Sequence, residues 1–391
     1  MSLIVRDAPI GSASPVAQPP SRRSIYAELG VRTIINARGA TTAVGGTLID
    51  AEVLAAMTDA SRHFVVLDEL NRRVGETIAA ATGAEAGYVT SGSAAGMALA
   101  AAACVAGADP ERIRTLPDAG GYANEIVVHR AHRLAYDQMY RLGGGRLVEI
   151  GLPLETERWE LERAITGRTA AVAYHDSPTT TPGALPFEVV VEVAHERCVP
   201  VIVDAASTLP PVDHLRRWIR AGADLVVYSG GKGIRGPQDS GMLAGRRVLI
   251  EAARANGSPF AGIGRGMKVS KEAMVGLEVA LRRFLTMDHE AERTLHGRQT
   301  DLIEASLRRR RDVRIACERE WADWPAPIIR VHPMAGAAWR SEAVRDAMMA
   351  GDPSVHINVE RGGLLINTHC LREGDEMTLA ASLTAALDGA R

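Results

Sequence analysis

Lys232 stands in the run YSGGKGIRGPQ (residues 228–238), among Gly230, Gly231, Gly233 and Gly236, directly after the apolar stretch ADLVVY. A loop lysine is ordinarily solvated. One placed just past a buried strand can be under-solvated, so that its amine loses a proton and attacks a carbonyl. Asp204 ends another apolar run, VPVIVDA, where an ionised carboxylate needs a cationic partner. YVTSGSAAG places Ser91, Gly92 and Ser93 at a helix start, whose free N–H groups and small side chains suit a phosphate. Taken singly, each has a plainer reading as a solvated lysine, a network carboxylate or a serine-capped helix. Together they match what pyridoxal 5′-phosphate requires: an amine for its aldehyde, a carboxylate for its ring nitrogen and a cradle for its phosphate.

These residues fall at related places in a repeating pattern. The short apolar runs AGYVT, NEIVVHR, RLVEIG, TAAVAYHD, VPVIVDA, ADLVVYS and GMLAG alternate with segments of helix length, such as 186–198 and 212–221. That pattern predicts parallel crossovers in an α/β domain, with ligands at the carboxyl ends of the strands. Ser91–Ser93, His129, His132, Asp176, Asp204 and Lys232 all follow such runs. We expect an N-terminal leader and arm over residues 1–49, a large cofactor-binding domain over 50–285, and a smaller α+β domain over 286–391. Residues 50–82 read as helical, and the stretch from Lys268 to Arg310 as one long helix or two joined.

Other motifs carry less. GIGRGM (262–267) lacks the dinucleotide spacing, SGGKG lacks that of a phosphate-binding P-loop, and His129 and His132 have no carboxylate or cysteine at ligand spacing, so no metal site is expected. The 391 residues are 46% hydrophobic and 24% charged, enough for about two domains. Their 45 basic and 47 acidic residues are well mixed, which argues against recruitment of nucleic acid or a membrane. Arg308–Arg311 reads as a solvated helix face. Cys104, Cys198, Cys317 and Cys370 are dispersed, as in a reduced cytoplasmic protein, and residues 1–22 read as a leader before the first ordered element.

Long ordered blocks also resemble a known group. IYAELGVRTIINARGATTAVGG, EAGYVTSGSAAG, HRLAYDQ, VPVIVDAAS, YSGGKGIRGPQDSGMLAGR, NGSPFAGIGRGMKVSKEAMVGLEVAL and LLINTHCLREGDE are similar to fold-type-I pyridoxal-phosphate enzymes related to selenocysteine synthase (L-seryl-tRNA selenium transferase). Within that group the chain most resembles the D-glucosaminate-6-phosphate ammonia-lyase-like branch. The resemblance implies an aspartate-aminotransferase-like fold, with a mainly parallel sheet in the large domain and a site between two subunits of a homodimer or higher homo-oligomer. It also implies Lys232 as the Schiff-base lysine, Asp204 as the ring-nitrogen partner, His132 (or the nearby His129) against the ring, and Gly92, Ser93 and Ser229 around the phosphate. Arg265 falls in the block nearest a partner's cofactor, and His369 where many relatives carry a carboxylate-binding arginine.

The expected reaction is elimination of ammonia from a small β-hydroxylated amino acid or amino sugar acid to give a 2-keto acid, with Lys232 removing the Cα proton and His132 or a water assisting departure of the hydroxyl. A phosphorylated substrate would need cations such as Arg38, Arg235 or Lys268. Amino transfer uses the same residues and is the alternative. Selenium transfer to seryl-tRNA would call for a basic docking surface, which the composition does not offer.

Overall fold

The computed structural model describes residues 24–176, 181–319 and 326–389; the leader expected over 1–22 lies outside them. Thirteen strands are present among these residues: β1 (Ile34–Asn36), β2 (Ala86–Thr90), β3 (Glu125–His129), β4 (Arg146–Ile150), β5 (Thr169–His175), β6 (Val201–Asp204), β7 (Leu225–Ser229), β8 (Gly241–Gly245), β9 (Val313–Glu318), β10 (Ile328–Pro333), β11 (Ser354–His356), β12 (Asn358–Glu360) and β13 (Gly363–Asn367). A seven-stranded sheet runs in the order β2-β8-β7-β6-β5-β3-β4. Helices cover both faces, so its central strands are almost uniformly apolar and polar groups are left to their ends.

One expectation needs correction: β8 runs antiparallel to both of its neighbours. Only residues 230–240 join it to β7, too few for a parallel crossover, so the chain must double back. The segment expected to be helical over 50–82 is two helices, Ala51–Ala60 and Leu67–Thr82, parted by a stretch in which Phe64, Val65 and Val66 face solvent. The stretch after Lys268 is also two helices, Lys271–Thr286 and His289–Leu307. Asp288 starts the second, its carboxylate accepting from the N–H groups of Glu290 and Ala291 at 3.1 and 2.9 Å.

The alanine-rich helix Gly92–Ala106 is almost wholly buried because its small residues let it lie close on the sheet. A Cβ on Gly96 would come within 2.9 Å of Val227 in β7. That approach sets the helix start beside the ends of β7 and β8. A four-stranded antiparallel sheet, β12-β13-β10-β9, forms a second layer with its own apolar core. β1 pairs in parallel with β11 beside it. From there the chain turns at Gly39 (φ +79) against Asn367 and runs back to the large sheet, where Thr47 Oγ1 donates to the carbonyls of Gly231 and Lys232 at 3.2 and 3.1 Å. Among the described residues no helix is long and apolar enough to cross a membrane.

The four glycines around Lys232 serve close packing. None of the four has a positive φ; that conformation falls to Arg235 (φ +59). Their missing Cβ atoms instead admit the protein's own backbone. A Cβ on Gly233 would lie 2.1 Å from the carbonyl oxygen of Leu209, one on Gly231 would lie 2.4 Å from Cα of Gln238, and one on Gly230 would lie 2.2 Å from Oγ of Ser240. Gly233→Ala should therefore lower stability by about 1–3 kcal/mol, the usual cost of forcing extra volume into a packed site. Gly167→Ala, where a Cβ meets nothing within 4 Å, should leave it unchanged. Unfolding midpoints of the two variants provide the check, and equal midpoints would mean that the loop yields freely.

Candidate active site

The carboxyl end of the large sheet brings Lys232 and Asp204 into electrostatic reach of one another. Lys232 follows β7 in the turn Gly231–Ile234, and its Nζ donates to Ser207 Oγ at 2.6 Å. Burial pulls its amine below the ordinary lysine range, and the Asp204 carboxylate only partly opposes that pull. Asp204, the last residue of β6, is 5% exposed. Its Oδ1 accepts from the N–H of Ala206 at 3.1 Å, and its Oδ2 lies 3.3 Å from Nδ1 of His175, its register neighbour on β5.

His132 follows β3 in a short 3-10 turn and is 1% exposed. It lines a small cavity with Asp204, His175, Tyr174, Tyr140 and Met97. Its ring meets that of Tyr174 edge-on at 4.5 Å between centroids. His132 Nδ1 accepts from the backbone N–H of His175 at 3.2 Å, so the ring is neutral with its proton on Nε2, which has no partner. Burial, with His129 and His175 nearby, pushes its pKa down to about 3. His129 sits deeper, edge-on to His132 and Tyr174, with burial pushing its pKa down to about 4. His132, rather than His129, lines the cavity with Asp204.

At the other side of the sheet end, β8 lies between β2 and β7, so Gly241 pairs with both Thr90 and Ser229. Ser229 and the start of the helix Gly92–Ala106 thus flank one glycine, and a Cβ on Gly241 would come within 2.6 Å of Gly92. Gly92 takes φ +81, and Thr90 Oγ1 donates to its carbonyl at 2.9 Å. Ser91 at the helix start makes no side-chain cap, and a Cβ on Gly92 would meet nothing within 4 Å. Open space in front of uncapped N–H groups, with Ser91, Ser93 and Ser229 around it, fits a phosphate.

The remaining expected residues lie further out. Arg38 is half-buried on the arm, its Nε donating to Asn358 Oδ1 at 2.7 Å. Arg265 is exposed and makes no side-chain hydrogen bond or ion pair with another described residue. Arg235 pairs with Glu292 at 2.5 Å. His369 is 4% exposed, with both ring nitrogens unpartnered and its pKa pushed to about 3 by burial, with Arg235 and His296 adding to that shift. A neutral, buried imidazole at this place brings no positive charge to a substrate carboxylate.

Three residues escaped sequence reading. Ser207 stands three positions after Asp204 in DAAS, a spacing visible in the chain but uninterpretable without the turn that folds it back to Lys232. Thr47 reaches the Lys232 loop from far along the sequence. His175 was passed over for Asp176. Strand alternation turns His175 toward Asp204 and leaves Asp176 to accept from Trp218 Nε1 at 2.8 Å, its carboxyl pKa raised by burial.

Comparison with known proteins gives the family and the fold. The family model described as L-seryl-tRNA selenium transferase matches residues 34–311. A 5′-C-glycyluridine monooxygenase-decarboxylase from a Streptomyces species is 36% identical over 375 residues, covering 93% of this chain and 92% of its own. D-glucosaminate-6-phosphate ammonia lyase from Salmonella typhimurium is 38% identical over 289 residues, covering 73% of this chain and 75% of its own. A solved structure of D-glucosaminate-6-phosphate ammonia-lyase superposes with a TM-score of 0.83 at 32% identity, over 95% of this chain and all of that one. A serine palmitoyltransferase carrying pyridoxal phosphate shares the fold at a TM-score of 0.59 and 15% identity, over 91% of this chain and 88% of that one. With the fold-type-I architecture in place and the model spanning most of its length, the chain belongs to the L-seryl-tRNA selenium transferase family.

Proposed function

We propose that the protein is a pyridoxal-phosphate lyase that releases ammonia from a β-hydroxylated amino acid or amino sugar acid, leaving a 2-keto acid. The observation that carries this reading is the convergence, at one sheet end, of an under-solvated lysine, a buried carboxylate and an open helix start flanked by serines. Lys232 would hold the cofactor's aldehyde carbon, Asp204 its ring nitrogen, His132 its face, and Ser91–Ser93 with Ser229 its phosphate. Bound there, the cofactor supplies a cationic ring that spreads the negative charge left when a bond at Cα breaks.

The chain's own residues then handle the protons. With its amine free, Lys232 is held below its ordinary pKa by burial, so it can take the Cα proton. Ser207, at 2.6 Å, orients the amine. His132 is neutral and cannot serve as an imidazolium acid. The proton for the departing β-hydroxyl therefore comes from the Lys232 ammonium formed in the first step, and His132 Nε2–H remains a neutral donor. Loss of water leaves an enamine, and its hydrolysis takes one water back and gives ammonia and the keto acid.

The match over 93% of the chain to a monooxygenase-decarboxylase supports a second reading. The same lysine and aspartate would support loss of carbon dioxide from Cα, with molecular oxygen as co-reactant. The deciding assay is a panel of D- and L-β-hydroxy amino acids, amino sugar acids and glycyl nucleosides, with and without phosphate, a keto-acid acceptor and oxygen. Ammonia and keto acid formed without acceptor or oxygen support the lyase. Product formed only with oxygen would establish the second reading, and only with acceptor an aminotransferase.

Borohydride treatment of the loaded protein should fix the cofactor to Lys232. Peptide mapping that finds the label on another lysine would overturn the assignment. We further propose that the protein is a homodimer in which each subunit's Arg265 completes its neighbour's phosphate cradle, because a phosphate dianion needs more compensation than one helix start supplies. Exposed Ile25, Tyr26, Leu29, Phe64, Val65 and Val66 offer the apolar surface such a pairing would cover. Arg265→Ala should weaken cofactor retention by roughly tenfold or more, as loss of a charge-assisted contact predicts. A fully active monomer in sedimentation would contradict the pairing.

A further inference from the structure

The geometry points to His175 as the residue that positions Asp204, a role resting on the cofactor site proposed above. Asp204 is a carboxylate at the end of an apolar strand, and a charge so placed needs compensation. Among the described residues no arginine or lysine forms an ion pair with it. Its Oδ1 is taken by the N–H of Ala206, while Oδ2 faces Nδ1 of His175 at 3.3 Å.

His175 is unusually well placed for this. Its backbone N–H donates to His132 Nδ1 at 3.2 Å, and the next N–H along, that of Asp176, donates to the Asp204 carbonyl at 2.9 Å. The β5–β6 register sets His175 and Asp204 side by side. The backbone that carries the ring is thus held on both sides, while its Nδ1 is buried with no hydrogen-bond partner of its own. A buried donor without a partner costs free energy, and the nearest acceptor is Oδ2. Once the ring turns onto that oxygen, Nδ1–H donates to it, keeps the carboxylate ionised and leaves its other edge to face the cofactor's ring nitrogen. His132 is linked to the same device, because the nitrogen that holds His175 in place is the one that sets its own tautomer.

The test uses His175→Leu, His175→Asn, Asp204→Asn and the double variant His175→Leu/Asp204→Asn. An asparagine amide can place an N–H close to where Nδ1 stands. His175→Leu should lower turnover and pyridoxal-phosphate affinity by about 10- to 100-fold, the range typical for loss of a partner that orients a site ligand. His175→Asn should stay within roughly threefold of the parent, and His175→Leu should cost nothing further on Asp204→Asn, since the two act as one unit. In the cofactor-free state His175→Asn should keep the parent's unfolding midpoint, while His175→Leu should lower it less in the Asp204→Asn background than alone. Near-parental behaviour of His175→Leu, or an equal loss in the Asp204→Asn background, would overturn the proposal. In the cofactor-free protein, imidazole ¹⁵N spectra should place the His175 proton on Nδ1 and show that signal moving in Asp204→Asn. If the protein bound no pyridoxal phosphate, the cofactor reading would fail while this signal still reported on the pair; an unmoved signal would sink the pair whatever the cofactor does.

Discussion

Everything at this site depends on keeping a carboxylate charged at the end of a strand that is otherwise hydrocarbon. β6 is Val201-Ile202-Val203-Asp204, buried throughout. Water cannot solvate the charge there, so the surrounding chain must: a backbone N–H on one oxygen, an imidazole beside the other and an amine within electrostatic reach. The same low-dielectric surroundings hold Lys232 below its ordinary pKa and strip His129 and His132 of their protons. One feature, exclusion of water from the sheet end, thereby sets the protonation of the groups that face it.

Neutral histidines change what the site can do. His132 accepts a hydrogen bond on Nδ1, which rules out the imidazolium form while that bond lasts. What it offers is a flat, apolar-sided ring and one free N–H. His369, buried against the ring of His296, is held neutral by burial, with no hydrogen bond to either ring nitrogen. Cationic groups remain available where the chain is wetter, at Arg38 on the arm and Arg265 in its exposed loop.

Rigidity at Lys232 comes from three directions. The arm clamps its carbonyl through Thr47, the 209–210 segment presses against Gly233, and Gln238 and Ser240 close on Gly231 and Gly230. Because the arm also pairs with β11 and abuts Asn367, the loop bearing Lys232 is mechanically tied to the second layer. A displacement of that layer would be felt at Lys232 without any contact to the amine itself.

Much of this was legible in the chain. Apolar runs ending in single polar residues announced a sheet buried on both faces, and Lys232, Asp204 and Ser91–Ser93 each followed such a run because only the strand ends can tolerate polar groups. The family blocks added Ser229 and gave His132, already at a strand end, its place against the ring. What the chain could not show was which way each side chain turns and which distant backbone it meets. β8 reversed direction because its connection is short. His175 and not Asp176 faces Asp204 because adjacent strand residues point to opposite faces. The glycines around Lys232 proved to be spaces for Leu209, Gln238 and Ser240, since a missing Cβ has meaning only once the opposing backbone is in place. Residue chemistry and periodicity are local and were determined by sequence; protonation, pairing and close approach depend on burial and on partners far along the chain, and only the tertiary structure decided them.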